Sequence, residues 1–178
     1  LASGPGRGVV GPRRAAAQVA PPPAPGRVVG SGSCSAAACH GANAPAAGSR
    51  VLRNEHPTWL ADDPHAQAFA ALLDVRSEGI IRQLNAGGGW TLPAHEEPRC
   101  LACHSTPRTK AELRADTWLN QDGVGCEACH GPAAGWLGPH TERGWNRGGG
   151  FVETGNLTAL AQECAACHVG RRNAPNRI

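Results

Sequence analysis

The apolar positions of this chain form few regular patterns, and the clearest one lies between residues 64 and 73. Asp63 and Pro64 give a typical helix start, because an acidic N-cap is followed by proline at the first helical position. Helical spacing then gathers one apolar face from His65, Phe69, Leu72 and Leu73. The pattern predicts a helix over 64–73, with a continuation to residue 85 left open and a stop at the glycines 87–89.

Elsewhere the pattern predicts short helices separated by long loops. One is expected at 110–119 and another at 157–167, the second with Asn156 as its N-cap. The glycine-rich stretch 131–150 is expected to be a loop. The expected β pairings are short ones near 9–10, 28–29 and 90–92. The predicted fold class is therefore mostly α with extensive loops and little β structure.

Side chains alone supply little material for a core. The 178 residues include two Phe, five Trp, no Tyr and no Met, against 24 Gly and 15 Pro. The length suits one domain or two small ones. A chain so poor in large apolar side chains and so rich in loop-forming residues needs something else at its centre.

Every cysteine of the chain falls in one kind of pattern. Three C-x-x-C-H motifs are present, and an earlier copy has two extra residues between its cysteines; in chain order the four are Cys34/Cys39/His40, Cys100/Cys103/His104, Cys126/Cys129/His130 and Cys164/Cys167/His168. C-x-x-C-H is the attachment signature of c-type haem. Two thiols reach the two vinyl groups of one porphyrin, and the adjacent histidine turns under the ring to ligate the iron. The sequence therefore predicts four covalent haem c groups with these four histidines as proximal iron ligands.

Disulfides and zinc are the alternatives for this many cysteines. An even number in an exported chain permits disulfides, and zinc ribbons also use C-x-x-C pairs. Neither alternative requires a histidine after every second cysteine, which is what this chain has. Haem explains the whole pattern, and four porphyrins would also form the core that the side chains do not supply.

The remaining histidines equal the predicted haems in number: His56, His65, His95 and His140. A lone histidine is ordinarily a surface or core residue, but here the count matches and the chain has no methionine for His/Met ligation. The prediction is four six-coordinate bis-His haems, with these histidines as distal ligands. Such haems leave no open iron site, so we expect an electron-transfer protein with no catalytic residues. The alternative, a nitrogen-oxide or hydroxylamine oxidoreductase, requires a haem with a free distal position.

Two segments are expected along the chain: an extended Gly/Pro/Ala-rich arm over 1–33, and a tetrahaem domain over 34–178. The arm is expected to pack on its own domain or on a neighbouring subunit.

The formal charge is +3, nearly all of the positive charge is arginine, and no cluster suggests nucleic-acid binding. Arginines suit haem propionates as partners. No segment is apolar enough to span a membrane, and the start at Leu1 rather than Met suggests a processed, exported protein.

Two segments resemble the cytochrome c-554 family. One runs from Gly123 through the third motif to Pro132, with His140 following, and the other joins Trp59 to the run 64–68. The order and approximate spacing of the four motifs also agree, so the resemblance covers about 34–168. It implies a helical, loop-rich fold with haems in alternating parallel and perpendicular pairs. It also implies that His140 serves the first haem and His65 the third.

The resemblance extends to extracellular tetrahaem filaments, the Omc-type nanowires. The family's type member is a periplasmic carrier of electrons from hydroxylamine oxidation, with one five-coordinate haem and a distal ligand in a C-terminal extension. This sequence has enough histidines for all four haems and stops ten residues after His168. The fourth distal ligand is therefore expected from upstream or from another copy of the chain. A homopolymer with haem contact between subunits is one expectation, and a discrete periplasmic carrier is the other. Redox proteins or extracellular acceptors would be the partners.

Overall fold

The computed structural model describes residues 26–49, 51–106 and 113–169. Within them lie five α-helices: α1 (Glu55–Asp62), α2 (Val75–Asn85), α3 (Pro98–His104), α4 (Cys126–His130) and α5 (Leu157–His168). Single 3-10 turns lie at Ser31–Cys34, Pro64–Gln67, Ala70–Leu73, Asn120–Asp122, Ala133–Gly135 and Pro139–Thr141. The β structure of the described residues is one isolated parallel bridge, between Val28 and Arg114. The predicted fold class, mostly α with extensive loops, is confirmed.

The segment 64–73 is not the α-helix that its pattern predicts. Asp63 does cap it, because its side chain accepts a hydrogen bond from the His65 N–H at 2.9 Å. The segment then forms two 3-10 turns, since two of its carbonyls bind partners from distant parts of the chain. The His65 carbonyl accepts from the Val124 N–H at 3.0 Å. The Ala68 carbonyl accepts from His104 Nδ1 at 2.8 Å.

The helices on either side of this segment were predicted unequally well. α2 is a separate helix with its own N-cap, Asp74, whose side chain accepts from the Arg76 N–H at 2.8 Å. It ends at residue 85 before the glycines, as predicted. α5 begins after Asn156, whose side chain accepts from two backbone N–H groups of the first turn, so this cap is confirmed. α1 was not predicted: it is eight residues long, and Trp59, Leu60 and Ala61 are consecutive, which is too short a run to show a period.

The predicted helix at 110–119 is wrong over 114–119. These residues contain no helix, and the bridge from Val28 to Arg114 lies there instead. Two hydrogen bonds of 2.8 Å flank the bridge, from the Val28 N–H to the Leu113 carbonyl and from the Ala115 N–H to the Val28 carbonyl. The pairing expected near 28–29 is thus present, that near 90–92 is absent from these described residues, and 9–10 lies outside the described residues.

The protein core is small. Phe69, Leu72 and Ala94 form the buried cluster, with Ile81 and Leu101 packed against it. Of the predicted arm, residues 26–33 are described, and they pack on this chain's own 113–133 region through the Val28 bridge and further backbone contacts. Residues 1–25 lie outside the described part. No helix in that part is both long and apolar enough to cross a membrane.

Candidate haem-binding site

Each of the four motifs lies in compact local structure. The second and fourth motifs form the C-terminal ends of α3 and α5, and the third motif is the whole of α4. Cysteines three residues apart on a helix share one face, and the next residue extends from the last turn. The first motif has the longer spacing and forms a turn instead, in which the His40 N–H donates to the Cys34 carbonyl at 3.2 Å. Every motif can therefore present two thiols beside one imidazole.

Two of the motif histidines lie beside a second histidine at a defined spacing. The ring centres of His40 and His140 are 6.2 Å apart, with planes 14° from parallel. Those of His65 and His168 are 6.1 Å apart, with planes at 81°. A metal–imidazole bond is roughly 2 Å long and the ring centre lies roughly 1 Å behind the nitrogen, so two axial imidazoles have centres roughly 6 Å apart. Both spacings match the spacing of two imidazoles that share one iron.

Four histidines have their Nδ1 atom fixed by an acceptor. His40 Nδ1 lies 3.0 Å from the Glu55 carboxylate, and His65 Nδ1 lies 2.8 Å from that of Asp63. The other two bind backbone carbonyls: His104 binds Ala68 at 2.8 Å, and His140 binds Leu137 at 2.6 Å. An acceptor at Nδ1 holds the tautomer whose Nε2 lone pair is free for a metal. The Nδ1 contacts of these four rings are therefore of the kind that orients a histidine to bind a metal through Nε2.

The motifs are ordered differently in space than along the chain. The Cys34 thiol of the first motif is hydrogen-bonded to Cys126 of the third, and this bond together with burial raises the pKa of the Cys34 thiol. The third motif is next to the fourth, because α4 packs on α5 and Cys129 interacts with Cys164. The fourth adjoins the second, where Cys167 Sγ lies 3.9 Å from the Ala102 carbonyl. The spatial order is first, third, fourth, second.

Sequence reasoning missed Glu127, which lies inside the third motif. Its carboxylate is buried and accepts hydrogen bonds from the backbone N–H groups of Val29, Gly30 and Ala133, at 2.6–3.0 Å. Glu127 thereby joins the segment before the first motif to the loop after the third. An acidic residue between two haem-binding cysteines was the available signal. The sequence alone does not say which N–H groups it would bind.

The loop 131–150 positions His140 among aromatic rings. Trp136 and Trp145 contact its ring edge-on, with centres 5.5 and 6.1 Å away. Phe151 packs on both tryptophans and stacks on His130 at 5.8 Å. Burial, with the nearby charge of His40, lowers the pKa of His130. The same aromatic cluster thus supports histidines of the first and third sites.

The loop closes on itself through glycines. Gly131 has φ 79°, and a Cβ there would collide with the Gly150 carbonyl. Gly149 has φ 74°, and a Cβ there would lie 2.7 Å from the Gly135 carbonyl. Larger residues at these positions would force the loop open, so glycine is what allows the loop to hold His140 close to the first motif.

The other two predicted distal ligands are placed less definitely. The His56 ring contacts Trp59, with centres 5.6 Å apart, and interacts with the charge of Asp122. His95 lines a cavity of about 330 Å³ beside Leu72 and Ile81, with its Nε2 atom 3.6 Å from Glu96. All eight histidines lie in the described residues, and none forms a ring pair of the above kind with His104 or with His130.

The family comparison decides between haem and the alternatives. The model of the family described as cytochrome c554 and c-prime matches residues 35–131, which is 97 of 178 residues. The chain belongs to the cytochrome c554 and c-prime family. No curated protein and no solved structure matches it.

As a member of this family, the cytochrome binds haem c covalently and carries electrons. The donor set agrees, because each motif offers two thiols and an imidazole. The His140 ring lies beside His40 of the first motif, and the His65 ring lies beside His168 of the fourth. Which haem each of these histidines serves stays a prediction.

Proposed function

We propose that this cytochrome holds four haem c groups, each with two histidine ligands, and passes electrons along them. The spacing of the paired histidines, 6.2 and 6.1 Å between ring centres, is the observation that carries the proposal. When bound, each haem supplies an iron that takes up and returns one electron. The thioether bonds would come from Cys34, Cys39, Cys100, Cys103, Cys126, Cys129, Cys164 and Cys167, and the proximal ligands would be His40, His104, His130 and His168.

The protein's own residues keep the axial positions closed. His140 and His65 would be the distal ligands of the first and fourth sites, each with Nδ1 already held. A histidine on each side of the ring leaves no coordination position for a substrate. This arrangement supports electron transfer rather than catalysis at these two sites, and it implies low reduction potentials.

We assign His56 and His95 to the remaining two sites. His56 interacts with the charge of Asp122, and its neighbour Trp59 donates a hydrogen bond to the Val124 carbonyl at 3.2 Å, so His56 is close to the third motif. His95 follows Ala94, which packs in the cluster containing Leu101 of α3, the helix of the second motif. These contacts favour His56 for the third site and His95 for the second.

The spatial order of the motifs defines a route. Electrons would enter or leave at the first and second sites, which lie at the two ends of the row, and pass through the third and fourth. Each end of the row has one exposed haem-binding cysteine, Cys39 at the first site and Cys103 at the second. A row with open ends can exchange electrons with a redox protein, with an extracellular acceptor or with another copy of itself.

We propose that copies join head to tail into an extracellular filament. Apolar side chains near the His95 cavity are exposed: Leu73 by 57%, Val75 by 77% and Leu92 by 41%. Apolar surface of this kind is what a subunit contact buries. A head-to-tail contact that does not close into a ring continues without limit, which would extend the haem row from copy to copy. The arm 1–33 would add contact area to its own or the next subunit.

Two measurements test the function. Mass spectrometry of the purified protein should show four attached haems, and its EPR spectrum should contain low-spin ferric signals alone. A high-spin ferric signal would favour the oxidoreductase alternative.

Electron microscopy separates the two assemblies: filaments are expected, whereas uniform small particles under native conditions would identify a discrete periplasmic carrier.

A further inference from the structure

The Nδ1 atoms of the motif and paired histidines have unequal acceptors. Two bind carboxylates, those of Glu55 and Asp63, whereas His104 binds a neutral carbonyl. His130 Nδ1 is buried and has no hydrogen-bond partner among the described residues. Among the described residues, a carboxylate therefore contacts Nδ1 at the first and fourth sites, and none contacts the Nδ1 atom of His104 or of His130.

Glu55 is fixed in place before any haem binds. One carboxylate oxygen lies 3.0 Å from His40 Nδ1, and the other accepts from the Leu52 N–H at 2.8 Å. The Glu55 carboxylate is thus anchored through both oxygens, with one of them in contact with His40.

Asp63 makes the matching contact at the other end of the same helix. Glu55 is the first residue of α1, and Asp63 is the residue that follows its last turn. One oxygen of Asp63 accepts from both the N–H and the Nδ1 of His65, at 2.9 and 2.8 Å. A single eight-residue helix therefore places one carboxylate against each of the two paired sites.

We propose that Glu55 and Asp63 are positioning residues that lower the reduction potentials of the first and fourth haems below those of the second and third. This rests on the proposed ligation of those haems by the paired histidines. A carboxylate at Nδ1 makes the imidazole a more basic ligand, and its charge favours ferric over ferrous iron. A neutral carbonyl or a missing acceptor has a weaker effect.

The spatial order then gives the row an alternating profile. Passing from the first site through the third and fourth to the second, the potentials run low, high, low, high. An electron that moves from a low-potential haem to a high-potential haem goes downhill in free energy. The step from a high-potential haem to the next low-potential haem is uphill. No site is deep enough to trap it if neighbouring potentials stay close.

The test is a potentiometric titration of the complete four-haem protein at one fixed pH. Glu55→Gln keeps the hydrogen-bond shape and removes the charge. We expect one of the four midpoint potentials to rise, with about a tenfold change in the reduced-to-oxidised ratio at a fixed potential, which is about 59 mV for one electron. Asp63→Asn should raise a different one. Asp62→Asn, on the same helix but outside these contacts, is the matched control and should move neither.

Several results would overturn the proposal. One is four unchanged potentials in Glu55→Gln and Asp63→Asn while all haems stay low-spin, which would leave the proposed ligation standing. Another is an equal shift in Asp62→Asn, which would assign the effect to general charge. If a variant does not incorporate its haems, the wild-type protein provides the test. The first and fourth haems, assigned by EPR from their near-parallel and near-perpendicular imidazole planes, must then have the two lowest midpoint potentials. Failure of the ligation itself would show separately, as high-spin signals in the wild type.

Discussion

The first and fourth sites differ from the second and third in how their second histidine is held. His65 and His140 both directly follow a proline that begins a 3-10 turn, Pro64 and Pro139 respectively. Proline fixes the backbone at the start of each turn, and a nearby acceptor then fixes Nδ1. His56, within α1, and His95 lack both features. A proline turn with a local acceptor therefore fixes the orientation of the His65 and His140 rings by short-range contacts, and the described residues give His56 and His95 no such pair of contacts.

Removing a distal histidine should have the largest effect at the locally built sites. His140→Ala is expected to abolish one low-spin EPR signal, and His65→Ala another, each replaced by a high-spin signal. The lost signals should differ in shape, because the imidazole planes are near-parallel in one pair and near-perpendicular in the other. The rhombic low-spin signal belongs to the first pair and the highly anisotropic one to the second.

A control variant keeps that result specific. Trp145→Phe changes a ring beside His140 without removing a ligand, and it should preserve both signals. If His140→Ala and His65→Ala abolished the same signal, the two pairs would not be separate sites, and the comparison would fail.

Carbon monoxide should distinguish the sites in the reduced wild-type protein. If the bound state of a distal histidine is about tenfold less favoured, its iron position is open on the order of tenfold more often. We therefore expect CO to bind at up to two haems, the second and third, before the first and fourth. Absorption difference spectra would count the bound haems. Equal binding by all four would show that local anchoring of His65 and His140 gives no advantage.

Glu127→Ala should damage the third site more than the fourth. The variant leaves three backbone N–H groups without their buried acceptor, at a cost of about 3 kcal/mol or more in the free energy of unfolding. Denaturant titration measures that cost, and Glu142→Ala, an exposed acid in the loop 131–150, is the control with little expected change. A loss centred on the fourth-site EPR signal would contradict this assignment.

The smallest effect is expected at the start of α5. Asn156→Ala removes the cap of the helix that ends in the fourth motif, which should cost about 1 kcal/mol. Asn156→Asp can still cap and should stay near wild-type stability. The measurement is again the denaturant midpoint, with spin states unchanged in both variants. A high-spin haem in Asn156→Ala would mean that the fourth site depends on its helix more than the His65 contact suggests.

The features of the fold that were predicted correctly depend on contacts between residues close together in sequence. The caps Asp63 and Asn156 and the glycine stop after α2 are short-range features, and each is present. The 64–73 turns and the bridge at Arg114 were not predictable in the same way, because distant residues compete for their backbone groups. The role of Glu127 likewise depends on residues 97 and 98 positions away in sequence.

The candidate site divides along the same line. The motif residues follow directly from their spacing, and the structure adds the acceptors that no spacing reveals, Glu55 among them. The partner of His168 was open in the sequence because ring pairing across 103 positions has no local signature. Only the three-dimensional arrangement brings His65 to it.

The spatial order of the motifs constrains how the protein can be made. The chain is synthesised from its N-terminus, yet Cys34 meets Cys126, and the last motif to emerge lies between the third and the second. The contact between the second and fourth motifs therefore cannot form until α5 has been synthesised. Contacts so distant in sequence make folding slow. During maturation, the thiols and apolar surfaces of the first three motifs would have to be protected from side reactions and aggregation until α5 packs against them.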